Sequence, residues 1–210
     1  MKLQTMISIT ALTFFIFLQL LSCIATNPKN QTIPTNTDYI KASCNGTLYP
    51  YLCYKSLCTY ATKIHTSPRQ LAHTALLVAL KEAKSTSRLM SKLSKSHNLK
   101  PTEAAAMTDC VEEVSDSIDE MRDSVGELQR INSTSDFNMQ ISDIQTWVSA
   151  ALTYEDTCMD GFEETSVRKS DVKYIARNHI LKIAHLTSNA LALVNKFAEK
   201  VQAGARSKKP

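Results

Sequence analysis

Glycine is scarce in this chain, with four in 210 residues, alongside six prolines and one tryptophan. Phosphate loops and dinucleotide-binding turns need clustered glycines, because a Cβ would keep the backbone away from the phosphate. No such cluster occurs, and the Gly-x-Ser-x-Gly turn of many hydrolases is also missing. Histidine is limited to five positions. His65 and His97 fall near expected helix ends, His73 and His185 are scattered, and His179 takes a seam position that usually means a hydrogen-bonded core residue. A di-iron site in a helical bundle needs Glu-x-x-His pairs, of which there are none, so neither a metal nor another cofactor is expected. Strand-like alternation is nearly absent. The formal charge of +4 is too small to point to nucleic acid or a membrane surface.

What the chain does have begins with an apolar run over residues 7–21, preceded by Lys2 and followed by Ser22-Cys23-Ile24-Ala25. That pattern predicts a secretory leader over residues 1–25, cut after Ala25. The mature product is expected to have no membrane span, since no later segment is apolar enough. Three sequons, at Asn30, Asn45 and Asn132, agree with a luminal route and are candidate glycosylation sites, and export makes disulfides reasonable. Residues 26–37 mix Asn, Pro, Gln and Thr without periodicity and are expected to form a flexible arm.

The remaining chain, about residues 38–202, reads as one all-α domain. Residues 38–62 give a short helical hairpin around Asn45-Gly46-Thr47, with Pro50 opening its second helix. Four long segments follow over residues 67–202. The first opens at Ser67-Pro68, a cap followed by proline at the first helical position. The second repeats most cleanly, with Met107, Val111, Val114, Ile118, Met121, Val125 and Leu128 spaced by four and three. The third carries Ile141, Ile144, Val148, Ala151 and Cys158, ending at Gly161. The last carries Val172, Ala176, His179, Ile183, Leu186, Ala190, Leu193 and Phe197. An antiparallel four-helix bundle preceded by the hairpin is the economical architecture, with a frayed basic tail over residues 203–210.

Cysteine spacing supports it. Cys110 and Cys158 lie 24 residues on either side of residue 134, in the loop between the second and third segments. At about 1.5 Å of rise per residue, antiparallel helices would carry both sulfurs to one height, roughly 36 Å from that loop. The pair reads as a staple across the hairpin. Cys44 and Cys53 would clip the small N-terminal hairpin, leaving Cys58 as a free thiol. As the only candidate cysteine nucleophile, Cys58 reads better as a buried or dimer-forming thiol.

Charge is segregated. Residues 55–100 hold nine Lys or Arg against Glu82, whereas residues 103–127 hold nine acids against Arg122. A cationic helix packed beside an anionic one would account for this, as would an acidic face offered to a cationic partner. Glycosidase-like carboxylate pairs are not indicated, because a helix covered in acids encloses no pocket.

The stretch from Gln145-Thr146-Trp147-Val148-Ser149-Ala150-Ala151-Leu152-Thr153 through Tyr154-Glu155-Asp156-Thr157-Cys158-Met159-Asp160-Gly161-Phe162 strongly resembles the signature of the plant invertase and pectin methylesterase inhibitor family. Cys44-Asn-Gly-Thr-Leu-Tyr-Pro-Tyr-Leu-Cys53 and Asp109-Cys110 extend the likeness over about residues 38–202. The resemblance implies a helical hairpin docked on a four-helix bundle, with one disulfide in the hairpin and one between the second and third bundle helices. It implies a protein that is not an enzyme, secreted to the apoplast or cell wall, which blocks a carbohydrate-active enzyme in a reversible one-to-one complex covering the substrate cleft. Thr-Trp-Val-Ser-Ala-Ala-Leu-Thr resembles the pectin methylesterase branch, and also the pro-regions of some pectin methylesterases; at 210 residues a free inhibitor is expected. The Pro-Lys-Phe pattern of the invertase branch is replaced by Ser135-Asp136-Phe137-Asn138. Pectin methylesterase is thus the expected partner, with acid invertase, or a non-inhibitory wall protein of the same fold, as alternatives. The resemblance places the contact on the second bundle helix, at Asp109, Glu113, Asp116, Glu120 and Asp123, and on Thr146 of the third. Cys58 departs from the simple two-bridge pattern. It leaves open a monomer with a free thiol, a Cys44–Cys58 bridge, or a covalent dimer.

Overall fold

The computed structural model describes residues 35–96, 99–131, 136–162 and 171–207. The expected leader, most of the arm, and the sequons at Asn30 and Asn132 lie outside them. Within them the chain is helical, and no strand occurs among the described residues. A hairpin of α1 (Asn36–Cys44) and α2 (Pro50–Leu57) leads through a turn of 3-10 helix, Cys58–Tyr60, into the short α3 (Ala61–Ile64). Four long helices follow: α4 (Pro68–Ser94), α5 (Pro101–Arg130), α6 (Phe137–Asp160) and α7 (Asp171–Arg206).

Local chemistry explains most of the boundaries. Thr35 caps α1 through a capping box with Asp38, so Asn36 and Thr37 are already helical rather than part of the arm. Ser67 accepts from the Gln70 amide, and Pro68 and Pro101 occupy first-turn positions where no backbone donor is needed. Glu103 is buried because its carboxylate closes the start of α5 on the Lys100 amide at 2.9 Å. The C-terminal end differs from expectation. α7 runs through Gly204 to Arg206, so residues 203–206 belong to the helix rather than to a frayed tail.

The four long helices close a ring in which α4 packs on α5 and α7, and α6 on α5 and α7. The apolar repeats point inward. Met107, Met121, Leu128, Ile144, Val148, Ile183 and Val194 are fully buried, and Phe137 meets Phe197 edge-on. His179 is only half-buried, because the inward direction at that level of α7 is taken by Ile180.

The hairpin docks against α7 through polar contacts. Asn189 accepts from the Tyr49 amide at 3.1 Å and donates to the Tyr49 carbonyl at 3.0 Å, and the Tyr49 ring stacks on His185. Lys196 donates to the Ser43 carbonyl at 2.6 Å. A Cβ on Gly46 would stand 2.5 Å from the Lys196 ammonium, so a larger residue there would displace the end of that side chain.

Both expected bridges are present. Cys44 pairs with Cys53, and Cys110 with Cys158, 48 residues apart in sequence, joining α5 to α6. Cys58 corrects the free-thiol expectation. It is buried in the 3-10 turn and disulfide-bonded, with its partner outside the described residues. Cys44 is already engaged by Cys53, which removes the Cys44–Cys58 alternative.

Candidate functional site

The acids of α5 fall on one stripe. At 100° per residue, Asp109, Glu113, Asp116, Glu120 and Asp123 span about 80° of the helix circumference. Their 4-3-4-3 spacing runs parallel to the apolar seam, and this is why they stay outside while Met107, Val114 and Met121 face the core. Asp109, Asp116 and Asp123 are exposed, while Glu113 and Glu120 are half-buried.

Among the described residues no ion pair neutralises the stripe. The ion pairs of α5 among those residues are Arg122 with Asp119 and Arg130 with Glu127, both within the helix and off these five residues. Among the described residues no ion pair links the cations of α4 to the acids of α5, so packing of opposite charge does not explain the segregation. Arg69 of α4 instead donates to the Leu128 and Gln129 carbonyls at the α5 C-terminus, where the helix dipole favours a cation.

Electrostatics record the crowding. Burial pushes the Glu113 carboxyl above its ordinary range, and the charges of Asp116, Glu112 and Asp109 add to it. Glu120 is raised in the same way, by burial first and then by Asp123, Asp116 and Asp119. One oxygen of Glu113 is buried without a hydrogen-bond partner.

α6 borders the stripe. Gln140 donates to Glu127 at 2.7 Å across the helix boundary. Trp147 and Tyr154, seven and fourteen residues further on, fall on the same side of α6 and are half-buried. Thr146 is exposed, but lies about 120° round the helix from Gln140, with its hydroxyl on the Ser142 carbonyl at 2.8 Å. The five acids are therefore brought together, whereas Thr146 stands at the outer edge of the surface. Trp147 and Tyr154 were not among the expected site residues; the step of seven from Gln140 was the available signal.

Asn45 is exposed at the tip of the hairpin, while Thr47 of its sequon is buried, donating to the Cys44 carbonyl at 2.9 Å. No group of three metal-ligating side chains occurs among the described residues, and no described helix is long and apolar enough to cross a membrane. The arrangement offers an acidic surface built from two helices.

Residues 38–193 match the family described as plant invertase/pectin methylesterase inhibitor. Pectinesterase inhibitor 10 of Arabidopsis thaliana is 49% identical over 166 residues, covering 78% of this chain and 52% of that protein. Pectinesterase inhibitor 9 of the same plant is 42% identical over 193 residues, covering 88% of this chain and 94% of that protein. The chain thus spans about half the length of the first relative and nearly all of the second. A crystal structure of a mutant pectin methylesterase inhibitor from Arabidopsis shares the fold, with a TM-score of 0.59 at 24% identity over 74% of this chain and 95% of that one.

Proposed function

The chain belongs to the plant invertase/pectin methylesterase inhibitor family, and from that premise we propose that it is a secreted protein inhibitor of pectin methylesterase. It binds the enzyme reversibly, one to one, over the substrate cleft, and so limits de-esterification of pectin in the cell wall. The observation that carries this reading is the α5 stripe, five carboxylates on one helix face with no ion-pair partner among the described residues. Such a face is costly to keep unless a partner uses it, because like charges three and four residues apart repel.

The mechanism is occlusion. α5 and α6 are joined by the Cys110–Cys158 bridge and by a shared core, so the face loses little conformational freedom on docking. The acids steer and register a cationic rim on the enzyme, and Trp147 and Tyr154 supply the apolar contact that excludes water. Thr146 contributes at the edge. Asn45 carries a glycan at the hairpin tip, away from this face.

Replacing Glu113 and Asp116 together by Ala tests the assignment. Inhibition of pectin methylesterase should weaken at least tenfold, about 1.4 kcal/mol, with no fall in melting temperature. Unchanged inhibition would remove the stripe from the contact surface.

A further inference from the structure

One carboxyl of the bundle has no part in the acidic face. Glu155 of α6 is fully buried, and its Oε1 sits where three helices meet. Ser117 of α5 donates to Oε1 at 2.9 Å, and Thr187 Oγ1 of α7 lies 3.0 Å from the same oxygen. Thr187 Oγ1 is also 2.9 Å from the Ile183 carbonyl and 3.8 Å from Met121 Sδ. The second oxygen, Oε2, is buried without a partner. A groove of about 390 Å³ between α6 and α7, lined by Leu152, Met159, Ile180 and Leu181 together with Asp156, borders Glu155.

Hydrogen counting decides which charge state the node is built for. Thr187 has one proton and two good acceptors. If Glu155 carries a proton on Oε1, it donates to Thr187, which in turn donates to the Ile183 carbonyl, and the chain closes with every donor satisfied. If Glu155 is ionised, Thr187 must turn to it and abandon Ile183, and the anionic Oε2 remains unpaired in apolar surroundings.

Among the described residues no ionisable side chain faces the node. α5 presents Ser117 and Met121, α7 presents Ile183 and Thr187, and the buried face of α4 is built from Leu, Ala, Thr and Met. Asp156, the adjacent residue on α6, is exposed.

We propose that Glu155 is a pH-operated latch: protonated, it ties α5, α6 and α7 together at one buried point, and ionised, it loosens the packing of α6 against α7. This role does not depend on which enzyme the acidic face meets. Burial raises the Glu155 carboxyl from the ordinary 4.5 to about 7, against the lowering effect of its bonds from Ser117 and Thr187. A group raised on folding contributes stability that is fully present below its unfolded value and is lost as pH rises through its folded value. The window therefore runs from about 4.5 to about 7.

Unfolding of the wild type and of Glu155→Gln, followed from about pH 5 to about pH 7.5, tests the latch. Gln copies the neutral acid in shape but does not ionise. Glu113 and Glu120 act in the same direction as Glu155 and His73 and His185 in the opposite one, but all four are common to both proteins. The wild-type unfolding constant should therefore rise relative to the variant by about two orders of magnitude across the range. Amide exchange in α6 and α7 at the upper pH should be faster in the wild type. Parallel curves with equal exchange would overturn the proposal. If the variant does not fold, carbon-13 titration of the Glu155 carboxyl in the wild type decides: a midpoint near 7 supports the latch, and one near 4.5 contradicts it.

Discussion

Asp116 provides the sharpest test of the acidic stripe, because its effects on stability and on binding have opposite signs. Its neighbours at three and four residues in either direction are Glu112, Glu113, Asp119 and Glu120, all acids. Each like-charged pair at that spacing destabilises a helix by about 0.2–0.5 kcal/mol. Asp119 is partly compensated by Arg122. Asp116→Asn removes all four repulsions while preserving shape, and helix propensity barely changes. Asp116 is exposed, so no packing is lost. The variant should gain about 1 kcal/mol, which for a domain of this size raises the melting temperature by about 2–4 °C at low salt. The gain should shrink at about 1 M salt, where the screening length falls to about 3 Å. Inhibition of pectin methylesterase should weaken about tenfold in parallel. Circular dichroism melts at two salt concentrations and an inhibition titration on the same preparations measure both. A variant that melts lower and inhibits as well as the wild type would refute the account of the stripe as a self-repelling surface maintained for a partner.

Three other perturbations follow from the packing. Replacing Cys110 and Cys158 by Ala releases a loop with a sequence separation of 48; the chain-entropy relation gives about 4 kcal/mol, hence a melting temperature lower by about 8–16 °C. Asn189→Ala deletes both bonds to the Tyr49 backbone and should cost about 2 kcal/mol, with amide exchange accelerated in α1 and α2 and not in α5. Gly46→Ala pushes the Lys196 ammonium off the Ser43 carbonyl and should cost about 1 kcal/mol; a melting temperature equal to that of the wild type would show that this contact does not hold the hairpin.

The bundle was legible in the sequence because its seams keep a strict four-three spacing, and Cys110 and Cys158 fix the register of α5 against α6. The hairpin clip was legible for the same reason, as two cysteines closing a loop too small to bury a core. What escaped was set by tertiary context. Cys58 reads as an odd thiol until its burial and bonding are seen. Residues 203–210 read as a frayed tail, yet α7 passes through Gly204 to Arg206, since a single glycine costs only about 1 kcal/mol and a helix of 36 residues absorbs that. Glu155 occupies the seam step between Ala151 and Cys158, where an apolar residue is the rule. Its acid at that step was the available signal, but its hydroxyl partners come from α5 and α7 and cannot be read from local spacing. The acidic stripe was visible in the sequence; the absence of α4 cations from it required the fold.

The most direct test of the central claim is titration of the purified, oxidised protein into plant pectin methylesterase and acid invertase, side by side, from about pH 5 to about pH 7.5. Loss of methylesterase activity near equimolar ratio, with invertase untouched, is the predicted result. Loss of invertase activity alone, or of neither, would contradict it.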